Sequence, residues 1–298
     1  MYKKKFTLRH VVEDFCDLTN EFSPVKELFG VPWAIRAKHV DDNFGLFFRC
    51  EIGDDVKKPW SVDVDYEFRV VSGKGLLTKS GTHKYKERTG WGWKDFRKWD
   101  YMCKNHVIDN TVTIECDVTI KSMTGIVRKR MMSFAYPKEN LTDVILKVGE
   151  EKFHVLKGFL ATHSPYFNAL FFANFSESKQ SEIELKDVDP EDFQQLLEAI
   201  HGALFIESDN VEVLLYLTDR FDVPIIRTRC EKFLLNCSDI TNRTKLRIAD
   251  AYHLEDVKEH CLKDVKTAED VKKLVPTDVR ELDHSTLAKL LEITLATH

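Results

Sequence analysis

The residues with the strongest potential for chemistry are seven cysteines and eleven histidines. Thiolates and imidazoles are the usual side-chain nucleophiles and metal ligands, but both uses require particular spacings. The sequence contains no Cys-x-x-Cys pair and no pair of histidines at zinc-finger spacing. We therefore expect reduced, mostly buried cysteines and structural histidines, in a protein of the cytoplasm, the nucleus or both.

Motifs that position catalytic groups are also missing from the sequence. It has no Gly-x-Ser-x-Gly elbow, no phosphate-binding Gly-Lys-Ser/Thr loop, no dinucleotide glycine pattern and no His-Glu-x-x-His site. The carboxylates fall mainly on polar strand faces and helix starts, where solvation explains them. We expect a protein that is not an enzyme and that uses no metal or cofactor.

Charge and hydropathy narrow the classes of partner. The net charge is −5, and the 21 basic and 19 acidic residues of positions 1–125 leave the first part of the chain only weakly basic. Binding to a phosphate backbone needs a strongly basic face, so nucleic acid is not expected. No apolar run approaches the roughly 18 residues of a membrane span, and no apolar signal core follows the basic first residues. Proteins are the favoured partners.

The first part of the chain has the period of β-strands. Apolar and polar residues alternate over 60–70 and again over 112–120, which places one face of each strand in a core. A Gly73-Lys74-Gly75 turn follows the first of these strands. Repeated strands with turn signals and little helical period predict an antiparallel β-sandwich.

Two aromatic features interrupt this pattern. In the strand at 44–50, Phe47 falls on the outward face, where either a neighbouring loop or a bound peptide would have to cover it. The segment 89–96 holds Trp91 and Trp93 beside glycines, with more aromatics close behind. Part of this cluster must be core packing.

These residues resemble the MATH (meprin and TRAF homology) domain over residues 5–122. The resemblance rests on Phe6–His10, Gly30–Trp33, Trp60-Ser61, Gly90–Lys94 and Trp99-Asp100. It implies a β-sandwich whose shallow groove binds short, extended, Ser/Thr-rich peptides. The positions that match the groove are Phe47, Tyr66, His83, Trp91, Trp93 and Lys94. Tyr66 falls on the same side of its strand as the expected core residues Val64 and Phe68. His83 stands where related adaptors usually carry an aromatic, so this groove is expected to prefer a different peptide.

Helical spacing dominates the second part of the chain. A strand at 144–148, a Gly149 turn and a strand at 153–155 come first. Asp189 is a good N-cap before Pro190, and apolar residues then recur at helical spacing up to Gly202. Further helices are predicted from Pro224 onward and at 243–253, 255–264 and 285–296.

This part resembles a BTB (POZ) domain over residues 138–236. The residues that carry the resemblance are Thr142–Val144, Lys152–Val155, Leu160–Phe167, Phe171-Phe172, Phe175–Ser178 and Ile183–Val188. Residues 123–137 are then a linker, and 237–298 resemble a short BACK-type helical extension. A chain of this build is similar to the MATH–BTB substrate adaptors of cullin-RING ubiquitin ligases, which supply no catalysis themselves.

The BTB resemblance implies two interaction surfaces. BTB adaptors that bind a cullin carry a hydrophobic-x-Glu triplet in one loop, which here is Phe175-Ser176-Glu177, with the helical residues Tyr166 and Phe167 nearby. The alternative is that Phe175 caps its own domain. A homodimer is also implied, and the apolar positions Val127, Met131 and Phe134 before the first strand would form one helical face for it. A BTB scaffold or transcriptional regulator that oligomerises without a cullin is the competing function.

Overall fold

A computed structural model describes residues 3–53, 59–126, 128–173, 180–276 and 278–296. The described residues form two compact units. The first unit comprises residues 3–126, 266–275 and 292–296, and the second comprises the described parts of 128–265 and 276–291. The change from the first unit to the second falls within the segment that the sequence indicates as a linker.

The first unit is a sandwich of two antiparallel sheets. Its strands are β1 (Lys4–Val12), β2 (Asn20–Phe22), β3 (Lys26–Leu28), β4 (Val31–Val40), β5 (Asn43–Cys50), β6 (Ser61–Val70), β7 (Leu77–Tyr85), β8 (Thr89–Lys98) and β9 (Val112–Thr124). One sheet has the order β1-β9-β6-β7, and the other has the order β2-β4-β5-β8 with β3 paired to β4. The predicted β-sandwich is confirmed, and β7 and β8 are edge strands.

Alternation along the strands builds the sandwich core. Every second side chain of β6 is buried, as the sequence period predicts. The core is rich in aromatic rings, and the Trp33 ring stacks on Phe48 with centroids 4.7 Å apart. The buried Tyr85 hydroxyl donates to the Phe48 carbonyl oxygen at 2.7 Å. Such rings bury large apolar areas and dominate core energetics.

The second unit places helices around a three-stranded sheet. Strands β10 (Val144–Val148), β11 (Glu151–Val155) and β12 (Glu182–Leu185) have the order β11-β10-β12, and β10 runs parallel to β12. After α1 (Trp99–Asn105) of the sandwich, the helices are α2 (Lys157–His163), α3 (Pro165–Phe172), α4 (Pro190–Ile200), α5 (Val211–Phe221), α6 (Pro224–Asn236), α7 (Asn242–Ala251), α8 (Glu255–Leu262), α9 (Ala268–Leu274) and α10 (His284–Ala296). Helix α9 belongs to the first unit. Among the described helices, none has the length and apolar content needed to cross a membrane.

Helix starts in the second unit follow the sequence signals. Asp189 caps α4, because its side chain accepts hydrogen bonds from the amides of Glu191 and Asp192. Ser164 caps α3 and is completely buried. Its Oγ accepts from the Phe167 amide at 3.0 Å and donates to the Phe221 carbonyl at 2.5 Å. Ser164 therefore joins α3 to the end of α5.

Replacing Ser164 by alanine is expected to lower the free energy of unfolding of the second unit by about 2–4 kcal/mol, since a cap is lost and a buried carbonyl is left unpaired. Urea unfolding followed by helical circular dichroism measures this. Asp189→Ala is the matched control, because that cap is exposed and its loss should cost about 1 kcal/mol. Equal losses in the two variants would contradict the role of the buried Ser164–Phe221 bond.

The segment before the first strand of the second unit is not a helix. Residues 128–137 lack helical backbone, so the predicted helical face of Met131 and Phe134 is wrong. Arg130 pairs with Glu151 and Glu191, and the Met131 amide donates to Glu198 on α4. These bonds hold the segment against β11 and α4, which helical spacing could not reveal.

Candidate functional site

The candidate site lies where the edge strands of the two sheets approach each other, and we call it the edge groove. Trp91 and Trp93 of β8 pair with Phe48 and Leu46 of β5, both of which are fully buried. Residues that pair across two strands point to the same face of a sheet, so both indole rings lie on the face of β8 that is turned towards the sandwich core. Strand β7 lies across the groove, and its corresponding face carries Lys79, Gly81 and His83.

Ring contacts define the walls of the edge groove. The His83 ring stacks on Trp91 with centroids 4.4 Å apart and planes 9° apart. The ammonium group of Lys79 lies 5.0 Å from the Trp93 ring centre, within cation–π distance. The Trp91 side chain nevertheless remains 53% exposed. The groove therefore offers a preformed and accessible aromatic surface.

Gly81 keeps the floor of the edge groove open. A Cβ at this position would lie 3.0 Å from the ring of Tyr66 and 3.1 Å from Trp93. A glycine inside a strand marks such a close approach. Gly81 and Lys79 are not among the residues predicted from the resemblance, although the period of two along a strand places both on the same side of β7 as His83.

Burial favours the uncharged forms of His83 and Tyr66 at the edge groove. Partial burial lowers the pKa of His83 below its ordinary value, and the Asp63 carboxylate opposes this to a smaller extent. Burial, with a smaller contribution from Cys116, raises the pKa of Tyr66 to about 12. At neutral pH both groups are uncharged, and the half-buried His83 ring suits serine, threonine and main-chain groups of a peptide.

The six residues predicted for the groove do not all lie together. His83, Trp91 and Trp93 meet at the edge groove. Tyr66 lies beneath them as a core residue that is nearly completely buried, because its ring packs against Phe48, Phe68 and Trp93. Its hydroxyl end faces the backbone of Gly81.

Phe47 and Lys94 lie away from these residues. Phe47 pairs with Gly92 of β8 and Arg36 of β4, which places it on the opposite face of the sheet from the two tryptophans. Phe47 thus points outward from the sandwich, as the sequence indicates. The outward face of the sheet is not the edge groove. Lys94 is exposed beside Gly45, at the start of the register shift between β5 and β8.

The residues predicted to contact a cullin have different environments. Phe175, Ser176 and Glu177 lie outside the described residues. Phe167 is fully buried between Phe171 and Phe221, with ring centroids 5.7 and 5.3 Å away, so it packs the core of its own unit. Tyr166 is 38% exposed and is available on the surface of α3.

The residues predicted for a dimer are also divided. Val127 lies outside the described residues. Met131 is 56% exposed, whereas Phe134 is buried against the His201 ring with centroids 5.1 Å apart. Phe134 therefore packs within its own chain, and Met131 is the accessible apolar group of this segment.

Within the described parts of the chain, no group of three or more His, Cys, Asp or Glu side chains is arranged to hold a metal ion. All seven cysteines are free thiols, and burial raises the pKa of several of them, including that of Cys50 to about 11. A thiol with a raised pKa is a poor nucleophile at neutral pH.

Comparison with known proteins identifies both halves of the chain. Residues 11–120 match the MATH domain, and residues 132–238 match the BTB/POZ domain. BTB and MATH domain-containing protein 15 of Caenorhabditis elegans is 35% identical over 267 residues, which are 89% of this chain and 98% of that protein. BTB and MATH domain-containing protein 38 of the same organism is 32% identical over 303 residues, covering 97% and 78%. Kelch-like protein 28 of Homo sapiens is 37% identical over 119 residues, which are 39% of this chain and 21% of that protein.

These matches confirm the two resemblances that the sequence motifs indicate. The first unit contains the MATH domain, on which the edge groove lies, and the second unit contains the BTB domain. Because both domains occur in one chain that covers nearly all of a relative with the same build, this protein belongs to the family of BTB and MATH domain-containing proteins.

Proposed function

We propose that this protein is a non-catalytic substrate-recognition adaptor of a cullin-RING ubiquitin ligase. In this role the MATH domain captures a short linear motif of a substrate, and the BTB domain binds a cullin of the BTB-binding class. The observation that carries the proposal is the open edge groove, with its exposed Trp91, in the same chain as a BTB domain.

The edge groove suits an extended peptide. Strand β7 pairs with β6 on one side, and its other side is an edge of the sheet in the described structure. A peptide could add to this edge through main-chain hydrogen bonds, which is a common mode of recognition. Its alternate side chains would then meet Trp91 and Trp93, and its hydroxyl groups would meet His83.

Self-association would raise the affinity of the protein for substrates that each edge groove binds only weakly. The exposed Met131 supplies an apolar contact next to the BTB domain. Two tethered grooves would raise the affinity for a substrate with repeated motifs by roughly 10²–10⁴-fold through avidity. We propose a homodimer for this reason. We also propose that the protein is located in the cytoplasm, the nucleus or both.

Cullin binding is tested by titrating the full chain with the N-terminal fragment of a BTB-binding cullin. Phe175→Ala and Glu177→Lys are each expected to weaken binding by about tenfold, since a central aromatic anchor and a neighbouring charge often dominate interfaces. Tyr166→Ala should have a smaller effect, because Tyr166 is only partly exposed.

The matched control is Glu184→Lys, which makes the same charge change at an exposed position on β12. Equal affinity of all variants would exclude the proposed cullin surface. Absence of binding by the wild type would favour the alternative function, a scaffold or transcriptional regulator that oligomerises without a cullin.

A further inference from the structure

Residues 128–134, which we call the basic segment, place a serine shortly after two arginines. Arg128 and Arg130 stand five and three residues before Ser133, and Phe134 follows it. Arginine-directed protein kinases select their substrates by such charge patterns, because acidic pockets beside the active site pair with guanidinium groups at fixed spacings from the reacting hydroxyl. The basic segment therefore has the charge pattern of a kinase substrate.

The Arg-x-x-Ser spacing occurs twice in the sequence, at Ser133 and at Ser72, and the structure separates the two serines. The Ser72 hydroxyl donates to the His106 carbonyl oxygen at 2.8 Å and accepts from the Thr113 amide at 3.1 Å. The arginine that precedes Ser72 is Arg69, which is only 1% exposed. The Ser133 side chain is exposed. Of these two serines, Ser133 is the one whose hydroxyl a kinase can reach.

The backbone on both sides of Ser133 is held in place. The Met132 amide donates to the Glu198 carboxylate at 2.9 Å, and the Phe134 carbonyl oxygen accepts from the His154 amide at 2.8 Å. The Phe134 ring is buried. The basic segment has no helical backbone, so no helix has to unwind before a kinase binds it as an extended chain. The bonds to its neighbours are what must open.

Both arginines of the basic segment are paired with carboxylates of the second unit. The Arg130 guanidinium lies 2.9 Å from Glu151 and 2.9 Å from Glu191, and Arg128 lies 3.4 Å from Asp209. A kinase can bind these guanidinium groups only after they leave their carboxylates. The pairs of Arg130 are partly exposed to solvent, and ion pairs of that kind are weak in water. The docked segment is therefore protected from a kinase, and the released segment is its substrate.

We propose that Ser133 is a phosphorylation site for an arginine-directed protein kinase, and that the modification keeps the basic segment released from α4 and β11. In the transfer step, the Ser133 hydroxyl oxygen attacks the γ-phosphorus of Mg²⁺-bound ATP. A new phosphorus–oxygen bond forms, and the bond between that phosphorus and the oxygen of the departing ADP breaks. The hydroxyl proton goes to the catalytic aspartate of the kinase.

A phosphate on Ser133 would add negative charge to a segment that carboxylates hold. Phosphoserine carries a charge of about −1.5 to −2 at pH 7. The Glu198 carboxylate accepts from the amide of the residue before Ser133, so the phosphate would repel it. The phosphate would also compete with Glu151 and Glu191 for Arg130, because guanidinium groups bind phosphate in a bidentate geometry. Both effects weaken the docking of the segment and shift it towards the released state.

The first measurement is phosphoryl transfer to the full chain. Wild type is incubated with Mg²⁺, ATP and a kinase of the protein kinase B class, which selects arginine at both spacings, and the product is mapped by mass spectrometry. We expect incorporation at Ser133 and its loss in Ser133→Ala. Ser72→Ala is the matched control and should leave incorporation unchanged, since the Ser72 hydroxyl is hydrogen-bonded within the sandwich. Absence of phosphate on Ser133 of the wild type, or incorporation mainly at another residue, would overturn the proposal.

The second measurement tests the release of the basic segment. Glu198→Gln weakens the acceptor that holds the segment and should raise the rate of phosphorylation by about 5–30-fold. Ser164→Ala is the matched control, because it destabilises the same unit away from the segment and should be phosphorylated at the wild-type rate. In the phosphorylated wild type, hydrogen exchange of the Met131 and Met132 amides should be faster than in the unmodified chain. Equal rates in wild type and Glu198→Gln, or unchanged exchange after phosphorylation, would each overturn the proposed release.

Discussion

Trp91→Ala is expected to weaken capture of a groove peptide by about 10–100-fold, as truncation of a central aromatic anchor does in other interfaces. The indole ring is 53% exposed in the free protein, so a bound peptide would bury the rest of it. Its stacking on His83 holds it in place, and little conformational entropy is lost on binding. Because the sandwich core lies beneath Trp93 and Tyr66, the free energy of unfolding should fall by only about 1 kcal/mol.

The measurement needs a peptide that the protein itself selects. A displayed library of Ser/Thr-rich peptides is selected against the full chain, and the affinities of the best peptide for wild type and variant are then compared. Tyr101→Ala is the matched control, because Tyr101 is 42% exposed and lies on α1 of the same unit. That variant should bind the selected peptide normally.

Two results would contradict the edge groove. A selected peptide that binds Trp91→Ala as well as it binds wild type would show that the groove is not its site. A large loss of stability in Trp91→Ala would show that the ring is mainly a core residue. Tryptophan fluorescence and urea unfolding separate these cases, since all five tryptophans lie in the first unit.

Much of the sandwich could be predicted from the sequence, because burial has a period of two along each strand. The parity of Phe47 in 44–50 correctly gave an outward side chain. The alternation within one strand does not show which residues of a neighbouring strand share that face, since this depends on how the two strands pair. The pairing of Phe47 with Gly92, rather than with Trp91 or Trp93, is a long-range fact that separates Phe47 from the edge groove.

The segment that leads into the second unit could not be predicted for a related reason. Its apolar spacing at 127, 131 and 134 is compatible with a helix. The partners that decide its conformation are carboxylates far along the chain, including Glu191 and Glu198 on α4. Local propensity is a weak prior, and tertiary contacts override it here.

Glu198 is the most consequential of these partners. It is only 2% exposed, and its Oε1 accepts hydrogen bonds from the Met131 amide at 2.6 Å and the Met132 amide at 2.9 Å. The side chain of Gln194 donates to the same oxygen at 2.8 Å and also donates to the Met132 carbonyl at 2.8 Å. One buried carboxylate thus fixes the segment against α4.

Glu198→Ala is therefore expected to lower the free energy of unfolding of the second unit by about 3–5 kcal/mol, because three donors lose a charged acceptor. Glu198→Gln retains an acceptor oxygen and should cost about 1–2 kcal/mol. The control Glu182→Ala removes an exposed pair with Lys152 and should cost at most about 1 kcal/mol. Urea unfolding followed by helical circular dichroism compares the three variants, and hydrogen exchange reports the amides of Met131 and Met132. If Glu198→Ala costs no more than Glu182→Ala, the carboxylate does not anchor the segment, and Met131 is not held in a fixed position beside the BTB domain for self-association.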